Sequence, residues 1–158
     1  MLSLLADHRS MTHEIIFQGT PDDPIIKLLP ERNYSAKLLD HWMLRIVDVK
    51  AALTARGYAT CVNAEIHFLV ADDLLSQNSG RHVLRVENGS ARVESGGRGD
   101  LEIDIRGLAA LYSGHASAND LLAIGLIAPS SRAKNAHEKM ELASAVFAGP
   151  APWMGDMF

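Results

Sequence analysis

The chain has 158 residues, enough for one domain, or one domain plus a small extra segment, at about 150 residues per domain. Fifteen Lys and Arg against nineteen Asp and Glu leave a formal charge of −4, which argues against a general nucleic-acid binder, because phosphate contacts need clustered cations. At 47% hydrophobic and 22% charged, the composition is that of a folded chain, and the single cysteine, Cys61, excludes an internal disulfide and fits a reducing, cytoplasmic setting.

Leu2, Leu5 and Met11 among Asp7, Arg9 and Ser10 predict a helix over 2–12. It reads as the middle of a helix whose beginning is missing, and it lacks the basic start of a secretory signal. Residues 14–18 read as a short strand. The turn cluster Gly19 to Pro24 caps a short helix, Ile25 to Leu29, which Pro30 stops. Polar residues 33–37 mark a boundary, so that 1–37 and 38–158 form separate parts.

Leu38 to Val47 is expected to be a strand carrying Trp42, Leu44 and Ile46. Asp48 caps a helix through Arg56, which Gly57 ends. Glu65 to Val70 alternates. Val83–Val86 and Ala91–Val93 flank Asn88-Gly89, the strongest short hairpin signal. A glycine-rich turn over 95–100 precedes Leu101 to Ile105, which also alternates. These runs predict an antiparallel meander of at least four strands. Helices follow at 107–112, at 121–126 behind a Ser117–Asp120 cap, and from Ser130 or Ser131 to Ala148. The last carries the stripe Ala133, Ala136, Met140, Ala143, Phe147. The sum is an α+β fold, an antiparallel-rich sheet covered on one face by helices. The longest apolar run, Leu121 to Pro129, is far short of the roughly 18 residues that a membrane span needs.

Chemistry is sparse. Seven histidines show no ligand spacing beside a third donor, so no metal is expected. His67, on the wetter face of its strand, and His115, in a loop, are expected to be solvated or locally hydrogen-bonded. Gly96, Gly97 and Gly99 lead into a strand rather than a helix, which speaks for a β-turn rather than a phosphate cradle. No Gly-x-Ser-x-Gly elbow supports a hydrolase. Glu102 and Asp104 share a face read as solvated. The tail, Ala151 to Phe158, ends in large apolar residues without a charged end. Either Trp153 and Phe158 complete the domain's own core, or the tail docks in a pocket and presents its terminal carboxylate there. With a reference pKa of about 3.3–3.7, that carboxylate is ionised at neutral pH and able to accept a proton.

Trp42-Met43-Leu44-Arg45-Ile46-Val47-Asp48, then Ala51-Ala52-Leu53 and Arg56-Gly57-Tyr58, resembles the opening of the C-terminal domain of enhanced-intracellular-survival (Eis-like) N-acetyltransferases. The pattern continues through Asp72 or Asp73, Asn78 and Gly80, then Asp100 to Asp104 and Leu108 to Gly114. It closes on Phe147, Pro152-Trp153 and Phe158. The resemblance covers about residues 40–158, and the first 30 residues resemble the end of the preceding domain in the same proteins.

The resemblance implies a sterol-carrier-protein-2-like fold at the end of an acetyltransferase of the GCN5-related class. It implies acetyl-CoA as cofactor of the whole protein, amines as acceptors, the acetyltransferase domains as partners, and assembly into oligomers. It further implies that the terminal carboxylate of Phe158 is the base, with Trp153 anchoring the tail. The chain carries no acetyl-CoA loop of its own, so no cofactor-binding residue is expected in it and the chain alone is not expected to acetylate. The alternative is a stand-alone module that binds an apolar small ligand, lipid or sterol, or that serves assembly.

Overall fold

A computed structural model describes residues 3, 7, 8, 10–29, 34–39 and 41–155. The chain divides into two compact units. One groups Met1–Lys37 with Trp153–Phe158, and the other is Leu38–Pro152.

In the first unit, most of the helix expected over 2–12 lies outside the described residues. At its end Met11 N and Thr12 N donate to His8 O at 2.9 and 3.1 Å. Residues 14–18 have no regular structure, and Ile15, Ile16 and Phe17 are exposed. An alternating run becomes a strand only where a neighbour completes its hydrogen-bond ladder. The short helix is present as α1, Ile25–Leu28, with Ile25 N donating to Asp23 Oδ1 at 2.9 Å.

In the second unit, the strand expected over Leu38 to Val47 is likewise not formed, and only Ile46 is buried there. Helix α2, Val49–Ala55, is capped by Asp48, whose Oδ1 accepts from Ala51 N at 2.9 Å. It ends because Arg56 turns to an extended conformation, not through a left-handed Gly57. Strands β1 (Ala64–Ala71), β2 (Gly80–Glu87), β3 (Ser90–Ser95), β4 (Leu101–Asp104) and β5 (Ile127–Pro129) follow, with a 3-10 turn, Ser76–Asn78, before β2. Between β3 and β2, Asn88 (φ 50°) and Gly89 (φ 79°) take the two positive-φ positions that a tight hairpin turn requires.

The sheet order is β3-β2-β1-β4-β5. β1–β2, β2–β3 and β4–β5 pair antiparallel, while β1 and β4 run parallel, with Phe68 beside Leu101. The expected meander is therefore corrected. After β3 the chain does not turn back beside it but crosses the outer face of β2 and β1 to the far side of β1. Gly97 makes that crossing possible. Its φ is +93°, and a Cβ there would strike the His67 ring and Val83 Cγ2.

Helices α3 (Ile105–Ser113), α4 (Ala118–Ala123) and α5 (Ala136–Phe147) complete the unit. Two expectations shift. The helix behind Ser117 stops at Ala123, and the following residues form the unforeseen edge strand β5. The last helix begins at Ala136, so Ala133 lies outside it, and its buried residues are Met140, Ala143, Val146 and Phe147. Leu53, Phe68, Leu84, Leu101, Leu108 and Phe147 are almost fully buried in one core between the helices and one face of the sheet.

Arg56 fastens two helix ends over this core. Its Nε donates to Tyr112 O and its Nη2 to Phe147 O, both at 2.9 Å. The guanidinium lies 4.9 Å from the Tyr58 ring centre and 5.1 Å from that of Phe147. A cation on the last carbonyls of α3 and α5 meets the negative ends of both helix dipoles.

Candidate functional site

The main polar node of the domain forms where β1 ends. Asp72 leaves the strand and folds the chain back on itself. Its Oδ1 accepts from Leu74 N and Leu75 N, both at 3.0 Å, and from Arg45 Nη2 at 2.5 Å. The 3-10 turn returns Asn78, whose Nδ2 donates to Asp72 Oδ2 at 2.9 Å and to Ile46 O at 3.3 Å. Asn78 Oδ1 accepts from Val49 N at 3.1 Å. Asp72 and Asn78 are both buried. Burial alone would raise the Asp72 carboxyl. The Leu75 amide, the Asn78 amide group and the Arg45 guanidinium outweigh it and hold the group well below the usual carboxylate range. At neutral pH Asp72 is thus an ionised strut whose oxygens are engaged by internal donors, unsuited to proton transfer.

His82 adjoins this node and is buried. Its Nε2 lies 3.0 Å from Asn78 O, a carbonyl that only accepts, so Nε2 carries the proton. Nδ1 is shielded from solvent and without a partner among the described residues. Beside it a cleft of about 160 Å³ is lined by Asp48, Lys50, Gln77, Asn78 and His82. Nδ1 itself is covered and does not open into the cleft.

A second cluster lies on the outer face of the sheet, under the crossing loop. Glu65 stands opposite Arg85 in register. Arg85 Nε bonds Glu65 Oε2 at 2.9 Å and its Nη1 bonds Glu94 Oε2 at 2.7 Å. Glu65 is held below its ordinary value, first by Arg85 and then by His67. His67 Nε2 lies 2.7 Å from Glu65 Oε1, and its Nδ1 accepts from Arg98 N at 3.1 Å. His67 is therefore locally hydrogen-bonded as expected, but buried rather than solvated. Asp100 accepts from Lys139 Nζ at 2.9 Å and Arg98 Nε at 3.0 Å. These partners outweigh the burial that would raise it and keep its carboxyl below the ordinary value. The gap between these groups, about 10 Å³, has room for one water at most. The cluster fastens the crossing loop to the sheet.

The residues singled out in the sequence do not converge with these clusters. Phe158 lies outside the described residues. Trp153 is half-exposed and belongs to the first unit. Glu102 is exposed, whereas Asp104 caps α3, accepting from Arg106 N at 2.8 Å and pairing with Arg106 Nε at 2.7 Å. His115 is exposed in the loop after α3. No group of three or more His, Cys, Asp or Glu that could hold a metal occurs among the described residues. Beyond Asp72 or Asp73 and Asn78 in the family pattern, the node had a further legible signal in β2. His82 is in phase with Leu84 and Val86, so the alternation of β2 already placed an imidazole on the core face.

Helices on one face of a mostly antiparallel five-stranded sheet define an α+β domain of the sterol-carrier kind. The family model of the sterol carrier protein domain matches residues 49–155, and the chain belongs to that family. A comparison with curated proteins finds no match. Among solved structures, a GCN5-related N-acetyltransferase from Anabaena variabilis is 39% identical with a TM-score of 0.90, over 99% of this chain and 39% of that one. A GCN5-related N-acetyltransferase from Kribbella flavida is 33% identical with a TM-score of 0.70, over 88% of this chain and 34% of that one. Eis1 from Mycobacterium abscessus is 30% identical with a TM-score of 0.70, over 87% of this chain and 34% of that one. The chain thus spans 34–39% of the length of these proteins. No helix among the described residues is long and apolar enough to cross a membrane.

Proposed function

We propose that this chain is the C-terminal accessory part of an Eis-like, acetyl-CoA-dependent amine N-acetyltransferase. Residues 38–158 form the sterol-carrier-like domain and 1–37 the end of the preceding acetyltransferase-type domain. The observation that carries this reading is the Anabaena variabilis likeness. It spans 99% of the chain, far beyond the 49–155 of the sterol carrier model. A stand-alone carrier domain would not share residues 1–48 with an acetyltransferase. The grouping of Trp153–Phe158 with Met1–Lys37 also favours a tail that leaves its own domain for the preceding one.

In this reading the acetyltransferase portion binds acetyl-CoA and the acceptor amine, and this chain contributes the α-carboxylate of Phe158. An amine attacks a thioester only after losing its proton. A carboxylate ionised at neutral pH takes that proton directly or through one water. The nitrogen then bonds the acetyl carbon and the CoA thiolate leaves. A chain end suits the task, because the tail reaches a site that its own fold does not enclose. Neither ion cluster described above takes part.

The test is a chimera in which this chain replaces the matching 39% of the Anabaena variabilis protein. Deleting Phe158 moves the carboxylate back by about 3.3–3.6 Å, one residue of extended chain. A base contributes on the order of 10²–10⁴-fold, so kcat for amine acetylation is expected to fall at least about 100-fold. An unchanged kcat would remove the carboxylate from the mechanism. The carrier-family membership favours a second reading, binding of an apolar ligand. Saturable binding of a fluorescent fatty acid by the isolated chain at micromolar concentration would support it.

A further inference from the structure

Of the seventeen exposed large apolar side chains among the described residues, twelve lie within 11–47. Only Leu74, Leu122 and Ile124 lie within 48–152. Residues 41–47 concentrate this exposure. Met43 is 96% and Val47 66% exposed, while Trp42 and Leu44, in the opposite phase, are each 39% exposed. Residues 41–46 have no regular secondary structure and Val47 lies in a bend, and the N–H and C=O groups of Trp42 to Leu44 bond no described residue. The far end of the segment is anchored, because Ile46 O accepts from Asn78 Nδ2 and Arg45 pairs with Asp72. An alternating, unpaired segment rooted at one end has what strand addition needs: free backbone groups for a ladder and side chains for both faces.

We propose that residues 41–47 add as a strand to an exposed sheet edge in the remaining part of the longer polypeptide, with Met43 and Val47 against that part. This inference rests on the accessory-domain reading above. The occupant follows from length, since a protein that matches 99% of this chain carries a further 61% of its own sequence outside the match. The buried Asp72–Asn78 node fixes where the strand leaves the domain.

Hydrogen exchange at Trp42, Met43 and Leu44, in the isolated chain and in the chimera with the Anabaena variabilis protein, tests the proposal. At least tenfold slower exchange in the chimera is expected. Met43→Glu and Val47→Glu are expected to abolish that protection and to lower the Tm of the chimera but not of the isolated chain. Equally fast exchange in a chimera that acetylates amines would overturn the docking surface and leave the accessory role standing. Protected amides in a chimera that does not acetylate would do the reverse. Slow exchange in the isolated chain, together with sedimentation as a dimer that Met43→Glu dissociates, would assign the segment to a second copy and overturn the proposal. If the chimera fails to fold, exchange at the matching segment of the intact Anabaena variabilis protein decides in its place. Fast exchange there overturns the proposal.

Discussion

Residues 48–152 and residues 11–47 differ in how they treat apolar side chains. The first stretch buries Leu53, Phe68, Leu84, Leu101 and Phe147 almost completely and leaves three large apolar residues exposed. The second leaves twelve exposed and buries only Ile46 among its large apolar residues. Both have similar sequence signals, alternation and capped turns. What separates them is a partner: each strand of the first stretch has a neighbour, whereas residues 14–18 and 41–47 have none among the described residues. A hydrophobic pattern records a surface intended for burial without recording what buries it.

The largest effect that would sharpen this contrast lies in the core. Phe147 packs edge-on to Tyr58 at 6.0 Å and against Phe68 at 6.3 Å, and its carbonyl receives Arg56. Phe147→Ala is expected to cost about 3–5 kcal/mol in urea unfolding. Arg56→Ala removes two charged hydrogen bonds to helix ends and is expected to cost about 2–3 kcal/mol. At roughly 2–4 °C per kcal/mol, both losses are large in a melting curve. A Phe147→Ala loss below about 1 kcal/mol would place the working core elsewhere.

Next comes the crossing loop. Gly97→Ala forces a side chain onto the His67 ring and Val83 at a φ of +93°. The variant is expected to lose about 1–3 kcal/mol, the range for a strained backbone position. It also carries a signature that a mere cavity would lack. The His67 imidazole resonances should shift, because the Arg98 N bond to Nδ1 depends on the loop path.

The acid response is smaller and has a definite sign. Asp72, Asp100, Asp104 and Glu65 are all held below their ordinary values in the folded chain. A carboxyl with a depressed folded pKa contributes stability that is complete above its unfolded value and is lost as the pH falls through the folded value. Urea midpoints should therefore be flat from pH 7 to about 5 and decline from about 4 downward. Asp72→Asn should flatten that decline while lowering the midpoint at pH 7. A decline equally steep in Asp72→Asn would mean that Asp72 does not contribute to it.

The sequence made the local features legible. Asn88-Gly89 announced its hairpin, Asp48 and Ser117 their caps, and Met140, Ala143 and Phe147 their buried face. These depend on residues close along the chain. The long-range features were not legible. Nothing local in Leu101–Asp104 distinguishes a strand beside β3 from one parallel to β1, and the three-residue β5 is shorter than any period can register. The polar node was half legible. Asn78 and the choice of Asp72 or Asp73 belong to the family pattern, but the bonds of Asn78 to Ile46 and Val49 and of Asp72 to Arg45 span about thirty residues. The tail's residues left two readings open, core or docked end, and it was the family likeness that gave the Phe158 carboxylate the role of base.

The smallest effect tests the contrast from its other side. In the isolated chain Ile16 and Met43 are 83% and 96% exposed, so Ile16→Ser and Met43→Ser remove little buried area. Surface substitutions of this kind fall within about ±0.5 kcal/mol. Both variants are expected to unfold at the urea midpoint of the parent chain, while Phe147→Ala falls far below it. A drop of more than about 1 kcal/mol in Met43→Ser would mean that residues 41–47 are already covered in the isolated chain. The two stretches would then differ in the placement of their partners and not in whether they have them. Equal midpoints would instead mark Met43 as a side chain whose burial awaits something outside the chain, in keeping with a backbone there that bonds no described residue.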